Sequence, residues 1–328
     1  MPRVLSGIQP SGNVHLGNLL GAIRNWVRDQ NDESFHLIVD LHALTLPKDP
    51  AELRAGTLEL AMTLIAAGLD PDVCTLFVQS HVPAHSNLSW LLECTVSFGE
   101  LRRMTQFKDK SDRADFISAG LFTYPALQAA DILLYDAERV PVGDDQRQHI
   151  EITRDIAVRF NSRYGETFVI PEAAIPPAGA RVMDLQNPTR KMSKSESSPQ
   201  GTVDILEPLK SIERKIMRAV TDSDTEVRFD IAEKPGIANL LSILAACTGG
   251  EPAALASSYS QYGPLKKDTA AAVIETVRPI QARYAELASD PAETARLLDK
   301  GATKAEVVAS ATLTRAYDAI GLLPRGKG

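Results

Sequence analysis

The sequence predicts an α/β fold: a parallel sheet with helices on both faces, followed by an all-α C-terminal part. Three observations predict it. Short apolar runs at Val4-Leu5, Phe35–Asp40 and Thr75–Val78 alternate with helical stretches, the order expected of a parallel sheet. The first run leads through a glycine-rich turn directly into a helix. Beyond residue 200 helical periodicity persists and strand patterning stops, which divides the chain into residues 1–200 and 201–328.

Each element has a local reason. The turn Ser6–Asn18 ends in a helix whose Leu19, Leu20, Ile23, Trp26 and Val27 share one face. Phe35–Asp40 reads as a buried strand, and Asp40-Leu41-His42 brings polar groups to its carboxyl end. Asp49-Pro50-Ala51-Glu52 opens a second helix, with Asp49 as cap, Pro50 at the first position and Glu52 completing a capping box. That helix runs to about Gly68. Helix is expected over about 87–105, a charged loop at Lys108–Asp112, helix over 118–130, and a short strand at Ile132–Tyr135. A helix then follows Asp144-Asp145-Gln146, burying Ile152, Ile156 and Phe160. Residues 171–190 read as connector, and Glu196–Gly201 as a Ser/Pro/Gly-rich loop. The remaining helices cover about 209–220, 237–247, 270–288 and 302–320.

Composition narrows the function. The 328 residues are 44% hydrophobic, enough for a large core. A net charge of −7 argues against coating DNA or RNA through bulk charge, though a local basic face is still allowed. Cys74, Cys94 and Cys247 are far apart and form no metal or disulfide pattern. No apolar run reaches membrane-spanning length and no leader pattern opens the chain, so a cytoplasmic protein is expected.

Two stretches carry chemistry. In the opening turn, Gly7, Gly12 and Gly17 permit close backbone approach, and a helix start suits a phosphate. An ordinary strand-to-helix turn is an equal reading, because neither the dinucleotide nor the P-loop glycine pattern is present. Downstream, Lys191-Met192-Ser193-Lys194-Ser195 places two lysines and two hydroxyls in one loop. Such a loop can close over a triphosphate; the alternative is a solvated basic loop.

Together the two stretches carry a resemblance. Pro10-Ser11-Gly12 with His15-Leu16-Gly17-Asn18 resembles the HIGH signature of class I aminoacyl-tRNA synthetases, and Lys191–Ser195 matches their KMSKS signature letter for letter. Ser6–Asn18, Met104–Lys108, Tyr124 with Ala129–Leu133, Val140–Ile150 and Arg278–Gln281 look like bacterial tryptophanyl-tRNA synthetases, over nearly the whole chain. The resemblance implies a Rossmann-like catalytic domain and a helical anticodon-binding region whose last helix packs back on it. It also implies a tryptophan–tRNA ligase activity, a homodimer, and L-tryptophan, tRNA(Trp) and ATP with Mg²⁺ as partners.

Site roles follow by resemblance. Gln9, Pro10, Ser11, Gly17 and Asn18 match the ATP-contacting turn. Gly143, Asp144 and Asp145 match a segment holding the adenosine, where helix capping is the plainer role. Val182 matches a backbone contact to adenine. Lys191, Met192, Ser193, Lys194 and Ser195 match the loop over the phosphates, with Lys191 and Lys194 as the charge-neutralising lysines; Lys110 matches a third, where a solvated loop lysine is an equal reading. Asp131 matches the acceptor for the indole N–H, a group that only donates; by residue type alone an ion pair is expected there. Gln146 matches a partner for the amino acid's backbone groups, and Leu5, Gly7, His42, Val140 and Val142 match the pocket wall. His15, His42 and His149 read as hydrogen-bonding fixtures and no metal site is expected. Leu5 stands where the family pattern often has Phe, and Gln128 where it often has Met. Tyrosyl-tRNA synthetase is the nearest alternative, and a paralogue acting as a tryptophan- or ATP-binding regulatory partner is another.

Overall fold

The computed structural model describes residues 2–111, 116–143, 146–174, 181–193 and 198–324, apart from the side chains of 109–111. Five strands form one parallel sheet: β1 (Val4–Ile8), β2 (Ser34–Ile38), β3 (Thr75–Val78), β4 (Arg139–Pro141) and β5 (Glu172–Ala174). Their spatial order is β3-β2-β1-β4-β5, and every pair is parallel. From β1 the chain winds outward through β2 to β3, then crosses to β4 and on to β5. The order therefore reverses between β1 and β4. These two strands share one registered pair, Val4 with Arg139. Ligands in open α/β sheets sit outside the carboxyl ends of the strands at such a reversal.

The helices follow in chain order. Between β1 and β2 lie α1 (Leu16–Asn18), a π-helical turn (Leu19–Ile23) and α2 (Arg24–Asp29). Between β2 and β3 lie α3 (Asp40–Ala43) and α4 (Pro50–Ala66). Four helices precede β4: α5 (Ala84–Glu93), α6 (Phe98–Arg102), α7 (Thr105–Ser111) and α8 (Ala119–Leu133). The helix α9 (Arg147–Tyr164) joins β4 to β5. The C-terminal part holds α10 (Leu209–Met217), α11 (Pro235–Thr248), α12 (Pro252–Ala256), α13 (Tyr262–Ser289) and α14 (Pro291–Ile320).

Local chemistry accounts for several boundaries. Asp49 caps α4 by accepting from the backbone N–H groups of Ala51 and Glu52, with Pro50 in the first turn. Ser97 and Glu100 form a reciprocal capping box that starts α6. That box breaks the continuous helix expected over 87–105. The expected loop at Lys108 is helical as part of α7. Ile132–Tyr135 is not a strand either: α8 continues to Leu133 and then turns. The run Ala129–Leu133 is buried at every position, so it shows no alternation that would separate helix from strand. The strands on that side are β4 and β5, three residues each, too short for a pattern and partly hidden in the expected connector.

Two apolar layers sandwich the sheet. On one face Leu16, Leu19, Ile23, Ile38, Leu64 and Leu76 pack in a cluster that continues into Ile212, Ile237, Leu240, Val273 and Val277 of the helical part. On the other, Leu5, Phe35, Leu37 and Phe77 pack with Leu88, Ala130, Ile156 and Phe160, and with Ala302, Ala305 and Ala309 of α14. Burial on both faces explains the nearly continuous apolar strands. The helix α14 lies against the edge strand β3. It comes so close at Gly301 that a Cβ there would overlap the Leu76 carbonyl oxygen. The unpaired edge is thereby covered.

Candidate active site

The turn after β1 is built by its own residues. Gly12 has φ of 68°, a left-handed conformation that glycine adopts without strain. His15 and Asn18 form a reciprocal cap: Asn18 N–H donates to His15 Nδ1 at 3.2 Å, and His15 N–H donates to Asn18 Oδ1 at 3.2 Å. Both side chains therefore spend hydrogen-bonding capacity on the helix start itself. Gln9, Pro10 and Ser11 lead into this cap, and Gly17 lies behind it with Val182 on its open side.

The stems of the lysine loop are fastened to that turn. Leu16 N–H donates to Val203 O at 2.8 Å, and Ile205 N–H donates to Val14 O at 3.1 Å. Asn13 also hydrogen-bonds Asp204. On the incoming stem, Met192 N–H donates to Val182 O at 3.1 Å, and Met183 bridges Lys191. Thr202 Oγ1 donates to Ser193 O at 3.0 Å and ties the two stems together. Met192 is buried in the same cluster as Val14 and Leu16, whereas Lys191 is exposed. Two segments about 180 residues apart in sequence thus share one edge of the sheet. Lys194, Ser195, Asp144, Asp145 and the side chain of Lys110 lie outside the described residues.

Asp131 sits on α8 and is buried. Its Oδ1 accepts from Gln79 Nε2 and from His85 Nδ1, each at 2.7 Å; its Oδ2 faces His42 Nε2 at 2.8 Å. Burial opposes the charge, but the hydrogen bonds from His42 and His85 outweigh it and hold the carboxyl down at about 2. His42 comes from the turn after β2 and Gln79 from the turn after β3. The carboxyl edge of the sheet therefore supplies the partners. His42 also meets the ring of Tyr124 edge-on at 6.5 Å, and Tyr124 Oη lies 2.7 Å from His149 Nε2. All three histidines read as fixtures are hydrogen-bonded.

The other expected pocket residues cluster around this point to different degrees. Leu5 and Val140 are buried in one apolar cluster with Ala129, Ala130 and Ile132. Val142 follows β4, with its N–H on Ala174 O at 3.2 Å. Gln146 occupies the cap position of α9, and its N–H donates to Gly143 O at 2.9 Å. Gly7 is the exposed position of β1. The space where its side chain would lie is filled by Val39 and Leu37, so its contact with any ligand is limited to backbone. Gln79 and His85 escaped the sequence reading. Gln79 directly follows a strand that was recognised, and the strand-end rule marks it; nothing local marks His85.

Comparison with known proteins agrees with this geometry. A family model described as tRNA synthetases class I (W and Y) matches residues 1–278. Tryptophan–tRNA ligase 2 of Streptomyces avermitilis is 53% identical over 329 residues, spanning 98% of this chain and 98% of its own. The crystal structure of tryptophanyl-tRNA synthetase from Mycoplasma pneumoniae aligns with a TM-score of 0.91 at 36% identity, over 98% of each chain. That from Campylobacter jejuni, complexed with ADP and tryptophan, aligns with a TM-score of 0.84 at 36% identity, over 98% of this chain and all of its own. By its sequence, its sheet order and the paired signature segments at one sheet edge, this chain belongs to the class I tRNA synthetases of the tryptophan and tyrosine family.

Proposed function

We propose that the chain is a tryptophan–tRNA ligase. It joins L-tryptophan to ATP as tryptophanyl-adenylate and passes the amino acid to tRNA(Trp). The observation that carries this reading is the fastening of the glycine turn to both stems of the lysine loop at the carboxyl edge of the sheet. A triphosphate placed there meets the helix start and the stem that carries Lys191.

In the first step a carboxylate oxygen of tryptophan attacks the α-phosphate, forming the C–O–P link as the bond to pyrophosphate breaks. The nucleophile is already an anion, so positioning and charge neutralisation dominate over proton transfer. Lys191 and Lys194, with Lys110, neutralise the departing pyrophosphate, whose Mg²⁺ arrives with ATP. The turn residues Gln9, Pro10, Ser11, Gly17 and Asn18 and the Met192-Ser193 backbone seat the nucleotide. Gly143, Asp144, Asp145 and Val182 hold its adenosine. Asp131 takes the indole N–H and Gln146 the amino acid's backbone, between walls of Leu5, His42, Val140 and Val142. In the second step a ribose hydroxyl of the terminal adenosine attacks the acyl carbon and AMP leaves.

The helical part is assigned to tRNA. Arg214, Lys215 and Arg218 of the α10 region line a cleft of about 410 Å³ beside the end of the lysine loop. Lys215 is committed to Glu207 at 2.7 Å, which leaves Arg214 and Arg218 as the charges suited to phosphate. A cytoplasmic location fits this role.

The test is ATP–pyrophosphate exchange with tryptophan, tyrosine as control, followed by charging of tRNA(Trp). Exchange with tryptophan and charging are expected; exchange with tyrosine instead overturns the substrate, and exchange without charging favours a regulatory paralogue. Lys194→Ala is expected to slow exchange by about a hundredfold or more, the scale of a lost charge-stabilising group, while tryptophan affinity without ATP is retained. An unchanged exchange rate would remove Lys194 from this role.

A further inference from the structure

We propose that His85, held in one tautomer by the Tyr135 hydroxyl, is a positioning residue that leaves Asp131 with a single acceptor site, on Oδ2, for the indole N–H. The inference rests on the assignment of Asp131 to the indole and deepens it.

Counting acceptor sites leads to it. A carboxylate offers about four lone-pair positions over two oxygens. Gln79 and His85 fill Oδ1, each at 2.7 Å, and His42 fills one position on Oδ2 at 2.8 Å. The orientation of the Gln79 amide is set by its other end, where Oε1 accepts from the Leu41 N–H at 3.2 Å. Its NH₂ therefore faces Asp131.

His85 is the member whose role depends on a proton. Its Nε2 lies 2.9 Å from Tyr135 Oη. Both side chains are fully buried, and the imidazole stands 6.0 Å from the Phe77 ring and 5.6 Å from the Tyr135 ring. Among the described residues the Tyr135 hydroxyl has no acceptor other than His85. Burial, with the charge of Asp131, pushes the phenol well above its usual range, so it stays a donor. With Tyr135 donating to Nε2, the neutral ring carries its proton on Nδ1 and gives it to Asp131. The other tautomer would set a bare nitrogen lone pair against a buried carboxylate. Oδ1 is thus closed, and a flat ring without an N–H leaves the remaining Oδ2 position unpaired.

The experiment compares tryptophan with its benzothienyl isostere, in which sulfur replaces the indole N–H, by pyrophosphate exchange with kcat and KM resolved. The variants are Tyr135→Phe, His85→Leu and His85→Asn, the last keeping a donor near the Nδ1 position. In the native protein, ¹⁵N-histidine NMR is expected to show His85 protonated at Nδ1 and bare at Nε2. Tyr135→Phe and His85→Leu are expected to lower the tryptophan-to-isostere preference about tenfold or more, mainly through the KM for tryptophan, as for a hydrogen bond to a charged group. His85→Asn is expected to restore most of it. Should His85→Leu fail to fold, Tyr135→Phe removes a single hydroxyl and decides alone. Equal losses on both substrates would mean a structural role and overturn the proposal, as would the opposite tautomer or an unchanged preference in Tyr135→Phe. If the native enzyme does not use tryptophan, the Asp131 assignment falls instead, and the NMR result still decides the tautomer.

Discussion

At the scale of single residues, two buried titratable groups behave in opposite ways. Asp131 is held ionised by its hydrogen bonds despite its burial. Asp131→Asn replaces an acceptor oxygen with a donor amide among groups that already donate. It is expected to lower the preference for tryptophan over phenylalanine by about tenfold or more, since a polar site rejects a ligand lacking the matching group. Exchange assays with both amino acids check this; undiminished discrimination would count against the indole role. His36 on β2 has neither a carboxylate nor a hydrogen-bond partner among the described residues, only the Trp26 ring at 5.4 Å. Burial lowers its pKa from 6.5 to about 4. Between those values the unfolded chain binds a proton that the native ring refuses. Stability is therefore full above pH 6.5 and declines as pH falls toward 4, by on the order of 3 kcal/mol in all. Urea unfolding across this range should show the decline, and His36→Phe should flatten it.

At the scale of elements, the lysine loop shows how a mobile-looking sequence is anchored. The motif is polar and carries no periodicity, yet both stems end in a hydrogen-bonded base. Asn239 of α11 binds the Met183 backbone twice, accepting from its N–H at 2.8 Å and donating to its carbonyl at 3.0 Å. Val220 N–H reaches Leu185 O at 2.8 Å from the same side. The helical part thereby sets where the loop starts. Asn239→Ala leaves two half-buried backbone groups of Met183 without this partner. It is expected to slow exchange about tenfold at an unchanged tryptophan affinity without ATP, measured by pyrophosphate exchange and equilibrium binding. Loss of tryptophan binding as well would show a general unfolding instead. The sequence did mark the loop, the glycine turn, the Asp49 cap and most of the long helices, since each depends on neighbours in the chain. It misplaced a strand at Ile132–Tyr135, where a helix buried all round has no outward face to show.

At the scale of the whole molecule, α14 returns from the end of the chain to close the sheet edge at β3. The closest approach is at Gly301, against a strand carbonyl that cannot move aside. Gly301→Ala is expected to destabilise the protein by about 3 kcal/mol or more, as overpacking against backbone does. A thermal unfolding scan should show a clear fall in Tm; an unchanged Tm would mean that α14 is free to shift.

The sequence by itself determined the alternating α/β order, the helical C-terminal part and the two segments matched to nucleotide handling. All of these are written in local spacing, in caps, glycines and short runs of fixed residue type. Only the tertiary structure decided that Asp131 is shared among Gln79, His42 and His85, partners 52, 89 and 46 residues away. It likewise decided that Val203 sits on Leu16. Which side chains satisfy a buried charge depends on where distant strand ends meet, and that is set by sheet order and packing.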